Sequence, residues 1–167
     1  EGKQAMVYSR LSRRLRETGH QSFSAYLQWL EQAGGAAGDT EWQEFEATMD
    51  AHHVIGGLGN IDMFVAPDFP GGPLEGMSMR IFDPRTRLWS IFWTDNRSCE
   101  LQPPVVGRFE GGRGEFFGDD VFAGKPIRVR YVWSDITRTS ARWEQAFSPD
   151  GGATWETNWR MLEVREV

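Results

Sequence analysis

A series of short apolar-rich runs separated by turn residues constrains the fold of this chain more than any other sequence feature. The runs carry alternating residues at roughly the 8–12-residue spacing typical of β proteins, with no helical pattern between them. They fall at residues 76–82, 88–94, 105–110, 114–118, 127–133, 140–147 and 154–164. Such a succession predicts an antiparallel meander, and closure into a barrel would remove the edges that an open sheet must protect. We expect a mainly β fold with an antiparallel barrel.

The most specific local pattern lies in the turn between the last two predicted strands. The segment 148–152 reads Ser-Pro-Asp-Gly-Gly, and Thr154 and Trp155 follow. Proline presets φ, aspartate can accept hydrogen bonds from nearby backbone, and glycine accepts a positive φ, so the segment predicts a hairpin. It resembles the Asp-box hairpin of sialidases and other β proteins. Because the box occurs once here, we interpret it as a structural clasp.

Charge and cysteine content exclude several classes of function. The net charge of −6 argues against nucleic acid as a partner, because phosphate binding needs a basic surface. Cys99 is the single cysteine, so an internal disulfide is excluded. No apolar run is long enough to span a membrane and no leader pattern is present, so we expect a cytoplasmic protein without a membrane partner.

The first 40 residues show helical rather than strand periodicity. Val7, Leu11 and Leu15 recur at helical spacing over residues 3–18, and Ser22 is placed to cap a second helix. The apolar residues of that second helix are Phe23, Tyr26, Leu27 and Leu30. We therefore expect a helical segment over 1–40 and a barrel over 41–167. The apolar stripes of the helices predict packing on the barrel wall or on a second copy, which would make a homodimer.

The helical part resembles the N-terminal domain of chemotaxis receptor methyltransferases. The residues that carry the resemblance are Gly2–Gln4, Met6–Leu11, Arg13–Arg16, Phe23–Leu27 and Glu41–Phe45. The resemblance implies a basic helix, with Arg10, Arg13, Arg14 and Arg16, that lies against the methylation helices of a receptor. A solvated basic face is the alternative. No Gly-rich strand-to-helix turn follows Phe45, so methyltransferase activity is not expected.

Residues 47–167 resemble a little-characterised bacterial family of calycin-like barrels. The motifs that carry this resemblance are residues 56–62, 82–84, 88–91, 103–109 and 114–120, together with the clasp. The resemblance implies a lipocalin-like cup without a settled activity. Such a barrel is also expected to begin with an additional Trp-containing strand, in the region where this chain shows helical periodicity.

Common cofactor and catalytic sites have little support in the sequence. The histidines, His20, His52 and His53, all precede the predicted strands 76–164, where a barrel haem ligand would be expected. Adjacent His52 and His53 would point to opposite faces of an extended segment, which disfavours a shared metal ion. No Gly-x-Ser-x-Gly elbow is present. We expect neither a cofactor nor a metal, and enzymatic activity stays open.

Charged residues within the strands provide the candidate ligand-binding residues. An arginine that points into a small barrel needs a carboxylate or an anionic ligand to compensate its charge. The candidates are Arg80, Arg130 and Glu144, with Trp93 and Asn158 as lining. Arg80 is expected inside, near Trp93 and within reach of Glu144 or a bound anion. The alternatives are a structural ion pair between Arg80 and Glu144, or orientation of all five residues toward solvent.

These features favour a non-enzymatic barrel that binds a small apolar or amphipathic ligand, for which an acidic group is allowed. The first alternative is an enzyme of hydrolase or isomerase type that uses Glu144 or a strand aspartate as its base. The second alternative is an interaction module whose basic helix docks an acidic helical partner.

Overall fold

The computed structural model describes residues 3–12, 42–122 and 124–165, and within them the chain forms ten β-strands. A single 3-10 turn, Ile55–Gly57, lies between the second and third strands. The strands are β1 (Lys3–Ser12), β2 (Trp42–Val54), β3 (Gly59–Ala66), β4 (Leu74–Asp83), β5 (Leu88–Asp95), β6 (Val105–Glu110), β7 (Arg113–Phe122), β8 (Lys125–Ser134), β9 (Ser140–Ser148) and β10 (Glu156–Arg165).

The strands form one closed antiparallel barrel in which each strand pairs with its neighbours in sequence. β1 closes it, because Val7 lies opposite Ala47 of β2 on one side and Glu163 of β10 on the other. The antiparallel barrel that the spacing of strands and turns predicts is confirmed. Closure gives every strand two hydrogen-bonded neighbours, which is the physical advantage of a barrel over an open sheet.

The predicted strands between residues 76 and 164 are all present, and β6 has the predicted bounds. β2 and β3 were missing from the prediction. In β2 the inward residues Phe45, Ala47 and Met49 are buried and alternate with Glu44 and Glu46, which are exposed. This alternation is the sequence signal that could have identified the strand.

The predicted helix over residues 3–18 is wrong for residues 3–12, which form β1. Val7, assigned to the apolar stripe of that helix, is fully buried in the barrel core. Backbone pairing with both β2 and β10 outweighs the weak helical periodicity, because tertiary pairing overrides local propensity. The barrel therefore includes residues that precede the expected boundary at residue 41. The predicted helix that begins at Ser22 and the apolar residues from Leu15 onward lie outside the described residues.

The clasp between β9 and β10 is held by a compact set of hydrogen bonds. The Ser148 hydroxyl donates to Asp150 Oδ1 at 2.7 Å and accepts from the Gly152 N–H at 2.7 Å. Asp150 also accepts from the backbone N–H of Thr154 at 2.9 Å and from its hydroxyl at 2.7 Å. The bonds from Thr154 and Ser148 lower the pKa of Asp150 to about 2. The clasp is therefore stabilised by an ionised aspartate whose hydrogen bonds fix the turn.

Replacing Gly152 with Val should destabilise the clasp by about 1–3 kcal/mol, the usual cost of a residue forced into a sparsely populated backbone region. Gly152 has a φ of +103°, which a β-branched residue adopts poorly. A chemical denaturation curve measures the loss. Ala153→Val is the matched control, because Ala153 is exposed and is not among the residues with positive φ. Equal stability of the two variants would contradict the prediction.

Candidate ligand-binding site

A cavity of about 470 Å³ occupies one end of the barrel lumen, the end that carries the clasp. We call it the aromatic chamber, because rings from several strands and one loop line its wall. Those rings belong to Phe64, Phe69, Trp93, Phe122, Tyr131, Trp133, Trp143, Phe147 and Trp159. A concave, mainly apolar cavity of this size is typical of sites for small molecules.

The rings of the aromatic chamber contact one another in edge-to-face and tilted geometries. The centroids of Trp143 and Trp159 are 5.8 Å apart with planes at 82°, and those of Tyr131 and Trp143 are 5.0 Å apart at 65°. Phe64 contacts Trp159 at 6.0 Å. Aromatic pairs in these arrangements stabilise one another beyond simple burial. The wall is therefore a preformed surface rather than a set of independent side chains.

A second cavity of about 360 Å³ lies at the other end of the same lumen. Its wall includes His52, His53, Trp89, Phe109 and Arg165. The residues that line both cavities are Met49, Arg80, Ile91, Trp133 and Glu163. These shared residues form the level at which the lumen narrows between its two ends.

A polar cluster sits at that level, and we call Asn60, Asp62, Arg80 and Glu163 the central polar cluster. The Arg80 guanidinium pairs with Asp62 Oδ2 and donates to Asn60 Oδ1 at 2.9 Å. The Asp62 side chain is 0% exposed and that of Arg80 is 18% exposed, so this ion pair is shielded from water. Asp62 Oδ1 and Glu163 Oε1 are buried, and neither has a hydrogen-bond partner among the described residues. The cluster therefore places an unsatisfied acceptor, Glu163 Oε1, on a residue that lines both cavities.

Glu163 is a carboxyl group of the lumen whose pKa is raised. Burial raises the pKa of Glu163, and the negative charge of Asp62 adds to this effect. Arg80 and a hydrogen bond from the Trp133 side chain oppose the rise without cancelling it. Desolvation is the dominant cause, because a buried carboxyl group loses the water that stabilises its charged form.

This raised pKa predicts a pH dependence of stability. The ordinary pKa of Glu163 is 4.5, and the folded protein holds the proton more tightly than the unfolded chain. Its contribution to stability therefore declines as the pH rises above about 4.5 and through the pKa of the folded state. We expect Glu163→Gln to remove this decline. The stability of the variant relative to the parent protein should therefore increase between acidic and neutral pH. Urea denaturation at several pH values tests this, with Glu144→Gln on the outer surface as control, and parallel pH profiles of Glu163→Gln and the parent would contradict it.

Three more carboxyl groups line the outer part of the aromatic chamber: Asp95, Glu100 and Asp120. Burial alone would raise the pKa of Asp95, but hydrogen bonds from Ser98, Trp93 and the Arg97 backbone hold it below its usual range. The Trp93 indole N–H donates to Asp95 Oδ2 at 2.9 Å. Burial raises the pKa of the Tyr131 hydroxyl, and the charge of Asp120 contributes to the rise. The mouth of the chamber is therefore acidic.

Three of the sequence-predicted site residues lie at or next to the lumen. Arg80 and Trp93 line the aromatic chamber. Asn158 occupies the β-bulge of β10, is buried, and accepts a hydrogen bond of 2.9 Å from the Gln145 amide, which itself lines the chamber. The partner of Arg80 is Asp62, however, and not the expected Glu144.

Arg130 and Glu144 lie on the outer surface of the barrel, which corrects the inward orientation that the sequence analysis considered. Tyr131 and Trp133 of β8 face the lumen, so Arg130 between them faces outward, where its guanidinium lies 4.7 Å from the Trp155 ring centroid. Glu144 pairs with Arg160 at 2.8 Å on the outside. The strand period of two fixes these orientations once one residue of each strand is placed.

Asp62 and Glu163 are the lumen residues that the sequence analysis missed. Asp62 lies two residues from both Asn60 and Phe64 along β3, and Glu163 lies two residues from Met161 along β10. Each therefore shares a strand face with residues that line the lumen. The period of two was the available signal, but β3 had not been identified as a strand. Asp62 lies on β3, next to the strand of Arg80, but nothing in the sequence indicates that Glu163 of the distant β10 also comes near Arg80.

Other classes of site find no counterpart in the part of the chain that the structure describes. Within residues 3–12, 42–122 and 124–165, no group of three or more His, Cys, Asp or Glu side chains is placed to hold a metal ion. In the same ranges, no helix has the length and apolar character needed to cross a membrane.

Comparison with known proteins finds a family match at the start of the chain. The family described as CheR methyltransferase, all-alpha domain, matches residues 1–49. That is less than a third of the 167 residues, so the chain is similar to this domain over a limited stretch. Within the matched stretch, residues 3–12 and 42–49 belong to strands of the barrel. No curated protein matches the chain.

Proposed function

We propose that this protein binds a small apolar or amphipathic molecule inside its barrel, in the aromatic chamber. The observation that carries the proposal is a preformed cavity of about 470 Å³ with aromatic walls and a polar floor. An apolar body would replace water along the rings, and the unsatisfied Oε1 of Glu163 would orient a polar head. This is a binding function and needs no reaction step.

The acidic group that the sequence analysis allowed on the ligand has less support. Arg80, the cation expected to receive it, already pairs with Asp62 and bonds Asn60. An anionic head would also lie close to Glu163. A neutral or donor-bearing head fits these surroundings better than a carboxylate does.

We further infer a relationship to calycin-like barrels, on the support of the closed up-and-down order of the strands. Homodimerisation stays a prediction, because the apolar residues Leu15, Phe23, Leu27 and Leu30 lie outside the described residues. The same holds for docking of an acidic partner by Arg13, Arg14 and Arg16, whereas Arg10, the fourth arginine of the predicted basic helix, belongs to strand β1. A cytoplasmic location also stays an expectation.

Binding of a neutral fluorophore such as N-phenyl-1-naphthylamine tests the proposal. We expect a saturable rise in its emission together with quenching of tryptophan fluorescence, because Trp93, Trp143 and Trp159 line the chamber. Ser78→Phe should abolish this binding, since Ser78 is buried and lines the chamber, and a phenyl ring there fills the space. Ser90→Phe is the matched control, because Ser90 lies between the lumen residues Trp89 and Ile91 and faces outward. The proposal would be contradicted if the fluorophore showed no saturable binding, or if its binding survived Ser78→Phe. Native mass spectrometry of fresh protein would identify a retained molecule.

An enzyme with Glu163 as general base is the second candidate, favoured by the raised pKa of this buried carboxyl group. The base named from the sequence, Glu144, is on the outer surface and is paired with Arg160. This candidate would be favoured if the parent protein converted the retained molecule and Glu163→Gln still bound the molecule without converting it. Recovery of the unchanged molecule would favour simple binding.

A further inference from the structure

We propose that the aromatic chamber selects ligands whose polar head is an organic cation, such as an ammonium group on an apolar or aromatic body. This inference rests on the proposed function, since it names the chemical class of the ligand for the same chamber. It follows from three features of the wall: its charge, the ion pair that holds Arg80, and its ring faces.

The charge of the wall is predominantly negative. Among the described residues, four carboxyl groups, those of Asp95, Glu100, Asp120 and Glu163, line the chamber together with one guanidinium, that of Arg80. The three carboxyl groups at the mouth would attract a cation during entry, because a cleft of one charge sign focuses its field on the approaching ligand. Glu163 at the floor would then receive the cation.

Arg80, the lining cation among the described residues, is not available to oppose a bound cation. Arg80 is held by Asp62 and Asn60, and the Asp62 charge compensates its own. Glu163 Oε1, by contrast, is buried and has no hydrogen-bond partner among the described residues. A buried acceptor without a partner is costly, and an ammonium donor would relieve that cost and favour the ionised carboxylate.

Arg97 is a further cation near the mouth, and its guanidinium is held by Phe69 and the Gly72 carbonyl. Its guanidinium carbon lies 4.6 Å from the Phe69 ring centroid, and its Nη2 donates to the Gly72 carbonyl at 2.6 Å. Arg97 does not line the chamber. It therefore occupies one face of Phe69.

The aromatic wall suits the same class of ligand. Trp143 and Trp159 are in edge-to-face contact and both line the chamber, as do Tyr131 and Trp93. The faces of tryptophan and tyrosine rings attract cations, most strongly where water is excluded. A carboxylate in the same place would be repelled by both the ring faces and the acidic groups.

Calorimetric titration of the whole protein at pH 7 with 4-phenylbutylamine, 4-phenylbutanol and 4-phenylbutyrate tests this inference. The three ligands share one body and differ in head charge, and an alkylamine is protonated at this pH, as lysine is. We expect the amine to bind at least about tenfold more tightly than the carboxylate, equivalent to about 1.4 kcal/mol, with the alcohol between them. An alcohol that binds without any advantage for the amine would overturn the inference and leave the proposed function standing. Binding of none of the three would overturn both.

Two variants locate the preference within the chamber. Glu163→Gln should reduce the advantage of the amine over the alcohol by at least about threefold, because the floor loses its carboxylate. Glu144→Gln removes the same charge from the outer surface and should leave the advantage unchanged. Equal effects of the two variants, with thermal melts showing both folded, would assign the preference to net charge alone and overturn the inference.

Discussion

Replacement of Arg80 by Met should lower the free energy of unfolding by about 3–5 kcal/mol, the range measured when one partner of a buried ion pair is removed. Met keeps most of the side-chain volume, so the loss would come from charge and not from a cavity. Asp62 would be left with a buried, uncompensated carboxylate, since its side chain is 0% exposed and its Oδ1 already lacks a partner among the described residues. Urea denaturation at neutral pH measures the loss directly.

Two further variants test whether the uncompensated charge of Asp62 causes the loss of stability. The double variant Asp62→Asn, Arg80→Met should be more stable than Arg80→Met alone, because it removes the stranded charge together with its partner. Arg160→Met breaks the comparable pair with Glu144 on the outer surface, where the side chains are 48% and 27% exposed, and should cost at most about 1 kcal/mol. If Arg80→Met costs no more than Arg160→Met, the central polar cluster does not have the energetic role described above.

A methyl group at Gly107 should destabilise the barrel by about 3 kcal/mol or more, at the upper end of the usual range for overpacking. Gly107 lies in β6 opposite Trp89 of β5 and Phe116 of β7. An added Cβ would overlap the carbonyl oxygen of Glu115 and approach the Cα of Phe116, and both belong to backbone that cannot rotate away. The strands β6 and β7 would have to separate, with loss of the pairing that joins them. Thermal and urea denaturation of Gly107→Ala measure this effect.

Val106→Ala provides the comparison for Gly107→Ala. Val106 is the neighbouring residue of β6 and is 36% exposed, so trimming its side chain should cost less than about 1 kcal/mol. A Gly107→Ala protein as stable as Val106→Ala would show that β6 can move away from β7 at little cost. The close approach of the two strands would then have no energetic importance.

The strands between residues 76 and 164 could be predicted because their signals are local. Turn residues such as those of the clasp set each reversal, and alternation between them sets each strand. The same alternation placed Trp93 together with Ile91 on one face of β5, and both line the lumen. β1 could not be recognised this way, because its residues also fit a helical spacing and its pairing partners are distant in the chain.

The chain by itself thus determined the antiparallel order of the strands and the clasp, for which neighbouring residues suffice. Tertiary structure decided which face of each strand points inward. A shift of one residue in register reverses every side chain of a strand, and closure by β1 and the bulge at Asn158 are set by distant pairing. For that reason Arg130 and Glu144, proposed as ligand-binding residues from their places in the predicted strands, lie on the outer surface of the barrel. Asp62 meets Arg80 through the direct pairing of β3 with β4, whereas Glu163 of β10 comes near Arg80 only because the barrel closes.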